Sequence, residues 1–377
     1  MRALHILTFA IAIFLSVDAL PYDKPKVYTI PLKPKSVTRR RLSRRAMGSM
    51  PILEEGPDIA YYGQITFGTG TPQYFDIQFD TGTGDLFVFG KNCDSPACKD
   101  KPKYNPKLDK SFSPIYDKDF SVEYADGTKV SGDSGKTTIE IAGISVGAQK
   151  FGLVDNVTDN FDKPYVGIMG MGFSESSKNN QTTPITNLID NNQLDKPQFS
   201  FLIGRKADKS PSELTIGGSN PNKYHVDTLT FTNVIYNNIN GEWKIRIDNC
   251  VIDGEKLNLG NRIAIIDTGT TLIVLPPSDA KEFYSKITNA TDRGDGFYVI
   301  PCEYRHEVGL VFNGKTWNID HRDFTIRIEV DYCIGAVAYH TGASTEWTVG
   351  CTFLKNVYTI FDQGNRQVGF AQIAKND

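Results

Sequence analysis

The chain has 377 residues, 40% of them hydrophobic and 11% aromatic, with a formal net charge of −3. That composition excludes a disordered or fibrous protein and supports a core large enough for two domains or two lobes. The near balance of charge hides a strong asymmetry between the first 45 residues and the rest.

Residues 1–19 read as a signal peptide: Arg2 supplies positive charge, Leu4 to Leu15 is almost continuously apolar, and Val17-Asp18-Ala19 offers a small-residue cleavage site. The apolar run is too short for a membrane span, no other stretch reaches the roughly 20 apolar residues needed, and the end of the chain has no lipid-anchor tail. The expected product is exported, with no membrane anchor. Residues 20–45 follow, with Lys24, Lys26, Lys33, Lys35, Arg39, Arg40, Arg41, Arg44 and Arg45 against Asp23 alone. After a signal peptide such a run reads as a pro-segment rather than a nucleic-acid or membrane-binding arm. Residues 1–45 hold ten of the 41 bases and two of the 44 acids, so the remainder carries 31 bases against 42 acids, a net −11. A basic segment facing an acidic body is held at neutral pH and loosened as carboxylates protonate. Arg44-Arg45 is a dibasic cleavage site.

The globular part opens with a strand at Tyr61 to Phe67, a turn at Gly68-Thr69-Gly70-Thr71-Pro72 and a second strand from Tyr74 to Phe79, in which Phe75, Ile77 and Phe79 alternate with Asp76 and Gln78. That strand delivers Asp80. Residues 111–154 read as short β runs, and Tyr124-Ala125-Asp126-Gly127-Thr128 is a hairpin signal. A helix is expected over 184–194, with Thr183 as cap and Pro184 in the first turn. The Gly217 to Asn222 stretch marks a lobe boundary, giving lobes at 46–222 and 223–377. The second half repeats the order: strands at Trp243 to Ile247 and Ile263 to Ile266, then a helix near 278–287 with Ser278 as cap.

Six cysteines in an exported chain imply disulfides. Cys93 and Cys98 close a tight loop, Cys302 and Cys333 bracket a longer insertion, and Cys250 with Cys351 permits a third bridge. Asn156, Asn180 and Asn289 begin glycosylation sequons and are expected on surface loops. His5, His225, His306, His321 and His340 show no metal-ligand spacing, so no metal or other cofactor is expected.

The chemistry rests on a run that occurs twice: Phe79-Asp80-Thr81-Gly82-Thr83 and, 187 positions later, Ile266-Asp267-Thr268-Gly269-Thr270. One Asp-Thr-Gly marks an ordinary turn. Two copies, each after a buried strand, point to a duplicated unit. A second landmark agrees, because Tyr165-Val166-Gly167-Ile168-Met169-Gly170 ends 90 residues beyond Asp80 and Trp347-Thr348-Val349-Gly350 ends 83 beyond Asp267. Two aspartates converging in a cleft share one proton, so one site offers general base and general acid together. Gly82 and Gly269 let the backbone approach the carboxylates, Thr83 and Thr270 are placed to bond their outer oxygens, and Thr81 and Thr268 are placed to tie the loops together.

These motifs, in this order, resemble the pepsin-family aspartic proteases, especially the secreted fungal enzymes of the rhizopuspepsin type. The resemblance spans about residues 58–377 and includes the flap-like hairpin, the small cysteine loop and the closing Phe353-Leu354-Lys355-Asn356-Val357-Tyr358 to Gly369-Phe370-Ala371. It implies a mostly β, bilobal acid protease fold with pseudo-twofold symmetry and a cleft between lobes. It further implies an endopeptidase made as a zymogen, a monomer secreted or sent to an acidic vacuole, acting on protein or peptide substrates with bulky hydrophobic residues around the cut. Its own pro-segment and pepstatin-type compounds would inhibit it, and no nucleic acid is involved. Asp80 and Asp267 match the catalytic pair. Tyr124, with Asp126, Gly127 and Thr128, matches the flap over bound peptide, and Asp126 matches an aspartate associated with accepting lysine on the acyl side of the cut. The chain departs from the pattern at Thr83, Gly84, Phe87 and Ala125, where serines, a tryptophan and a glycine are usual. Phe87 cannot donate the indole N–H that holds the flap tyrosine, so the alternative is a catalytically weak or inactive peptide-binding or inhibitor-type relative.

Overall fold

The computed structural model describes residues 28–34 and 60–374, apart from 160, 162, 209, 236–239, 258, 306 and 341–343. The signal-peptide reading, Arg44-Arg45, His5 and His306 lie outside the described residues.

The fold is mostly β. In the first half the strands are β1 (Tyr28–Pro34), β2 (Tyr61–Phe67), β3 (Gln73–Asp80), β4 (Leu86–Phe89), β5 (Ser113–Glu123), β6 (Lys129–Ile141), β7 (Ile144–Val157), β8 (Gly167–Gly170), β9 (Gln198–Leu202) and β10 (Ser212–Ile216). The strand read at Tyr61–Phe67 buries Tyr61, Gly63, Ile65 and Phe67 on one face. The short β runs expected over 111–154 are instead three long strands. Asp126-Gly127 and Ala142-Gly143 form the turns between them, while Ser131-Gly132 is absorbed as a register shift in β6–β7, with further shifts at Ile115/Asp119 and Thr137/Ile139.

Both halves use the same pairing around the acid motif. In the first, β3 runs parallel to β8, with Asp80 opposite Gly170, and β8 runs antiparallel to β4. In the second, Arg262–Ile266 runs parallel to Trp347–Val349, with Ile266 opposite Val349, and Trp347–Val349 runs antiparallel to Ile273–Leu275. The landmark glycines gain a physical role here. A Cβ on Gly170 would lie 2.4 Å from the Gly84 carbonyl carbon, and one on Gly350 would lie 2.3 Å from the Thr270 carbonyl oxygen. Each glycine lets the loop carrying the acid pass directly over the neighbouring strand.

The halves meet in one sheet of 13 strands. Tyr358–Asp362 pairs with β9 and with Gln367–Ala371, so the end of the chain closes onto the first half. A polar cluster adds to the junction: Arg205 donates from Nε to Asp323 Oδ2 at 2.9 Å, and Lys355 Nζ lies 2.7 Å from the other Asp323 oxygen.

The helices are shorter than expected. The first, α1, covers Pro184–Asp190, with Thr183 capping through its hydroxyl. It stops before 194 because Asn191 and Asn192 leave the helical path, Asn192 with φ of 52°. The second, α2, covers Pro277–Tyr284. Pro276 is its cap position and Ser278 lies inside the first turn, so Ser278 does not cap it. Two prolines in succession set the start through their fixed φ.

Two disulfides join Cys93 to Cys98 and Cys302 to Cys333. The permitted third bridge does not form. Cys250 is buried in Asn249–Ile252, where burial pushes its thiol up to about 12. Cys351 starts a different element, Cys351–Leu354, and its thiol donates to the Thr268 carbonyl at 3.5 Å. Asn156, Asn180 and Asn289 are exposed.

One buried carboxylate ties several of these elements. Asp109 accepts from Thr69 N at 2.9 Å, from Ser111 N and Oγ at 2.7 Å each, and from the Tyr104 and Thr137 hydroxyls. Burial pushes its carboxyl up, but these donors outweigh burial and hold it at about 2. A carboxyl depressed in the folded state stabilises above its unfolded pKa, and that contribution is lost as pH falls through the folded value. Asp109→Ala is therefore expected to cost about 2–3 kcal/mol at pH 7, because it strands buried donors, and less at pH 3, which lies between the unfolded and folded values. Thermal unfolding of variant and parent against pH checks this, and the gap should narrow as pH falls from about 4 through about 2.

Candidate active site

The two acid loops lie face to face. Thr81 N donates to Thr268 Oγ1 and Thr268 N donates to Thr81 Oγ1, both at 3.0 Å. Each hydroxyl also donates across the junction at 2.8 Å, Thr81 to the Ile266 carbonyl and Thr268 to the Phe79 carbonyl. Both side chains are buried. The reciprocal bonds join segments far apart in sequence and fix the loops at one separation and register.

That register crosses the carboxylates over the opposite glycines. A Cβ on Gly269 would sit 2.4 Å from Asp80 Cγ and 2.5 Å from each of its oxygens. One on Gly82 would sit 2.8 Å from Asp267 Cγ. Each acid therefore occupies the space a side chain would take on its partner's loop. Gly82 N donates to Asp80 Oδ1 and Gly269 N to Asp267 Oδ1, both at 2.7 Å.

The expected symmetry then stops. Thr270 Oγ1 donates to Asp267 Oδ2 at 2.6 Å. The Thr83 hydroxyl instead accepts from Asp85 N at 3.4 Å, and no bond from Thr83 to Asp80 forms among the described residues. The reason is the pull of the chain beyond it. Asp85 is fully buried and accepts from Ser177 Oγ at 2.6 Å, Lys178 N at 2.9 Å, and Asn179 N and Nδ2 at 3.3 and 3.2 Å. Asp85 is a supporting residue that the motif reading missed; its signal was an acid placed directly before the wholly apolar Leu86–Phe89. Burial, followed by the neighbouring Asp267 charge, raises the Asp80 carboxyl well above the usual carboxylate range.

The hairpin of β5 and β6 carries Tyr124 at its tip. Its tip is closed by Tyr124 N to the Thr128 carbonyl at 2.8 Å, Gly127 N to the Tyr124 carbonyl at 2.9 Å and Thr128 N to Asp126 Oδ1 at 2.9 Å. Gly127, with φ of 80°, makes the turn possible. The Tyr124 ring packs 6.4 Å from Phe87, its hydroxyl is buried without a hydrogen-bond partner among the described residues, and burial followed by the Asp80 charge raises it strongly. Phe87 leaves that hydroxyl unsatisfied, as expected from the lack of an indole. Tyr165 is buried on the same side, raised by burial and then by Asp80 and Asp126. Aromatic walls and two close carboxylates suit an extended, partly apolar ligand and acid–base chemistry on it. The described residues hold no group of three or more His, Cys, Asp or Glu able to bind a metal ion.

The family model described as eukaryotic aspartyl protease matches residues 60–373. The chain is 31% identical over 351 residues to a protein named "Aspartic protease" from Phaffia rhodozyma, covering 90% of this chain and 83% of that protein. It is 32% identical over 334 residues to rhizopuspepsin-4 from Rhizopus niveus (87% and 81% covered) and 30% identical over 333 to rhizopuspepsin from Rhizopus chinensis (87% and 82%).

Proposed function

The chain belongs to the eukaryotic aspartyl protease family and is a pepsin-like aspartic endopeptidase, and from that premise we propose that Asp80 and Asp267 are its catalytic pair. The crossed carboxylates carry this reading: like charges held this close cannot both ionise cheaply, so the pair keeps one proton. Among the described residues Asp267 accepts from two donors and Asp80 from one, which draws the shared proton towards Asp80. The ionised carboxylate takes a proton from water as that water attacks the peptide carbonyl, and the protonated one donates to the carbonyl oxygen. The resulting diol collapses as a proton passes to the departing amine. Thr81 and Thr268 hold the loops, and Thr270 and the two glycine N–H groups hold the carboxylates, so little reorganisation is needed.

Tyr124, Asp126, Gly127 and Thr128 form a flap that closes over substrate. The aromatic lining supports a preference for bulky hydrophobic residues, and Asp126 supplies a carboxylate for lysine on the acyl side.

Residues 20–45 act as the inhibitory pro-segment of a secreted zymogen. Strand β1 supports this, since it pairs with β10 from Tyr28 opposite Ile216 to Leu32 opposite Ser212, then with β2 at Lys33 and Pro34. Removing it would leave two sheet edges unpaired, which holds the segment until acid or cleavage displaces it.

Acid-treated chain is expected to digest haemoglobin at about pH 3, between the two apparent pKa values typical of such dyads, and pepstatin is expected to stop it. The unprocessed chain should be inactive near neutral pH. Full activity with residues 20–45 attached would remove the pro-segment reading. A fully processed chain without turnover would favour the peptide-binding alternative, which the unpartnered Tyr124 hydroxyl keeps in view.

A further inference from the structure

We propose that Lys163 is a built-in counter-ion for the flap carboxylate Asp126 and sets how readily a cationic side chain on the acyl side of the cut is accepted. This rests on the reading of Asp126 as facing substrate in the site of Asp80 and Asp267.

The two oxygens of Asp126 have separate tasks. Oδ1 accepts from Thr128 N and shapes the flap turn, while Oδ2 lies 3.8 Å from Lys163 Nζ. The two side chains are 25% and 42% exposed for Lys163 and Asp126, so a solute can reach the pair. Lys163 is not placed by chance of a free loop. Lys101 Nζ donates to the Lys163 carbonyl at 3.0 Å, and the same ammonium lies 5.6 and 5.2 Å from the ring centres of Phe89 and Phe161. Phe161 in turn meets Tyr165 edge-on at 5.7 Å. The backbone of Lys163 is thus held by Lys101, and its side chain reaches the flap.

The charges of Asp80 and Asp126 both act on the Tyr124 and Tyr165 hydroxyls. With the Tyr124 hydroxyl lacking a partner, the Lys163–Asp126 pair is a polar tie between flap tip and body. A substrate lysine entering here meets a carboxylate that already faces the Lys163 ammonium and must compete with that ammonium to use it. A neutral side chain meets no such competitor. Partly exposed ion pairs are weak, so the discrimination imposed is about two- to fivefold.

The test uses two peptides that differ only in lysine or norleucine on the acyl side of the cut, with the processed parent, Lys163→Met, Asp126→Asn and the double variant. Asn at 126 keeps an Oδ1 acceptor for Thr128 while removing the charge. Lys163→Met is expected to raise the lysine-to-norleucine ratio of kcat/KM about two- to fivefold, to do so less in high salt, and to have no effect on the ratio in the Asp126→Asn background. An equal change for both peptides, a fall in the ratio, or a rise that persists in the double variant would overturn the proposal. If Asp126→Asn leaves the ratio unchanged, the recognition role of Asp126 fails and Lys163 fails with it. If Asp126→Asn lowers the ratio while Lys163→Met does not move it, Lys163 alone is refuted.

Discussion

Asp80→Asn and Asp267→Asn are each expected to lower peptide hydrolysis by about 10³-fold or more, because under the proposed assignment each takes away either the base or the proton donor of the pair. Neither variant should unfold, since amide and carboxylate have the same shape and the Thr81–Thr268 bonds do not involve the acids. Asp80→Asn carries a second expectation. Its carboxyl is raised in the folded state, so folding is penalised as pH rises above the unfolded pKa of about 4, and the penalty grows until the folded value is passed. The neutral variant lacks that penalty. It should melt higher than the processed parent at pH 7 and alike at pH 3. Turnover above about 1% of the parent in either variant would sink the dyad assignment, and equal melting at pH 7 would sink the burial argument for Asp80.

Gly269→Ala tests the geometry rather than the chemistry. Neither Gly269 nor Gly82 has a positive φ, so alanine is acceptable to the backbone at both. The added methyl at 269 falls 2.4–2.5 Å from the Asp80 carboxyl group, and at 82 it falls 2.8–2.9 Å from that of Asp267. The carboxylate must move, and a displacement near 1 Å in such a site costs about 10²-fold in kcat. Gly269→Ala should therefore be the more damaging of the two. Steady-state kinetics with a folded control by circular dichroism checks the order. A fully active Gly269→Ala would mean that the two loops do not cross as described.

The acid motifs, the strands that deliver them and the tight Cys93–Cys98 loop were legible because each is encoded by neighbours in the chain. The Thr183 cap belongs to the same class. Errors came where two signals competed locally. Ser278 looked like a cap, yet Pro276 and Pro277 fixed the start of α2 first. The first half was expected to bond Thr83 to Asp80 as Thr270 bonds Asp267. Buried Asp85, two residues on, draws the loop towards Ser177 to Asn179 and takes the Thr83 hydroxyl with it. The Cys250–Cys351 bridge was an argument from number alone, and the fold places those thiols in separate elements.

The sequence by itself determined that this is a duplicated, mostly β chain with two acid turns, since period-2 alternation and turn chemistry act over a few residues. Only the tertiary structure decided how the turns meet. The exchange of bonds between Thr81 and Thr268, the seating of each carboxylate over the other loop's glycine, the insertion of β1 between β10 and β2, and the reach of Lys163 to Asp126 all join distant segments. Such contacts depend on how whole sheets pack, with van der Waals gaps of a few tenths of an ångström deciding them, and no local pattern in the chain records that distance.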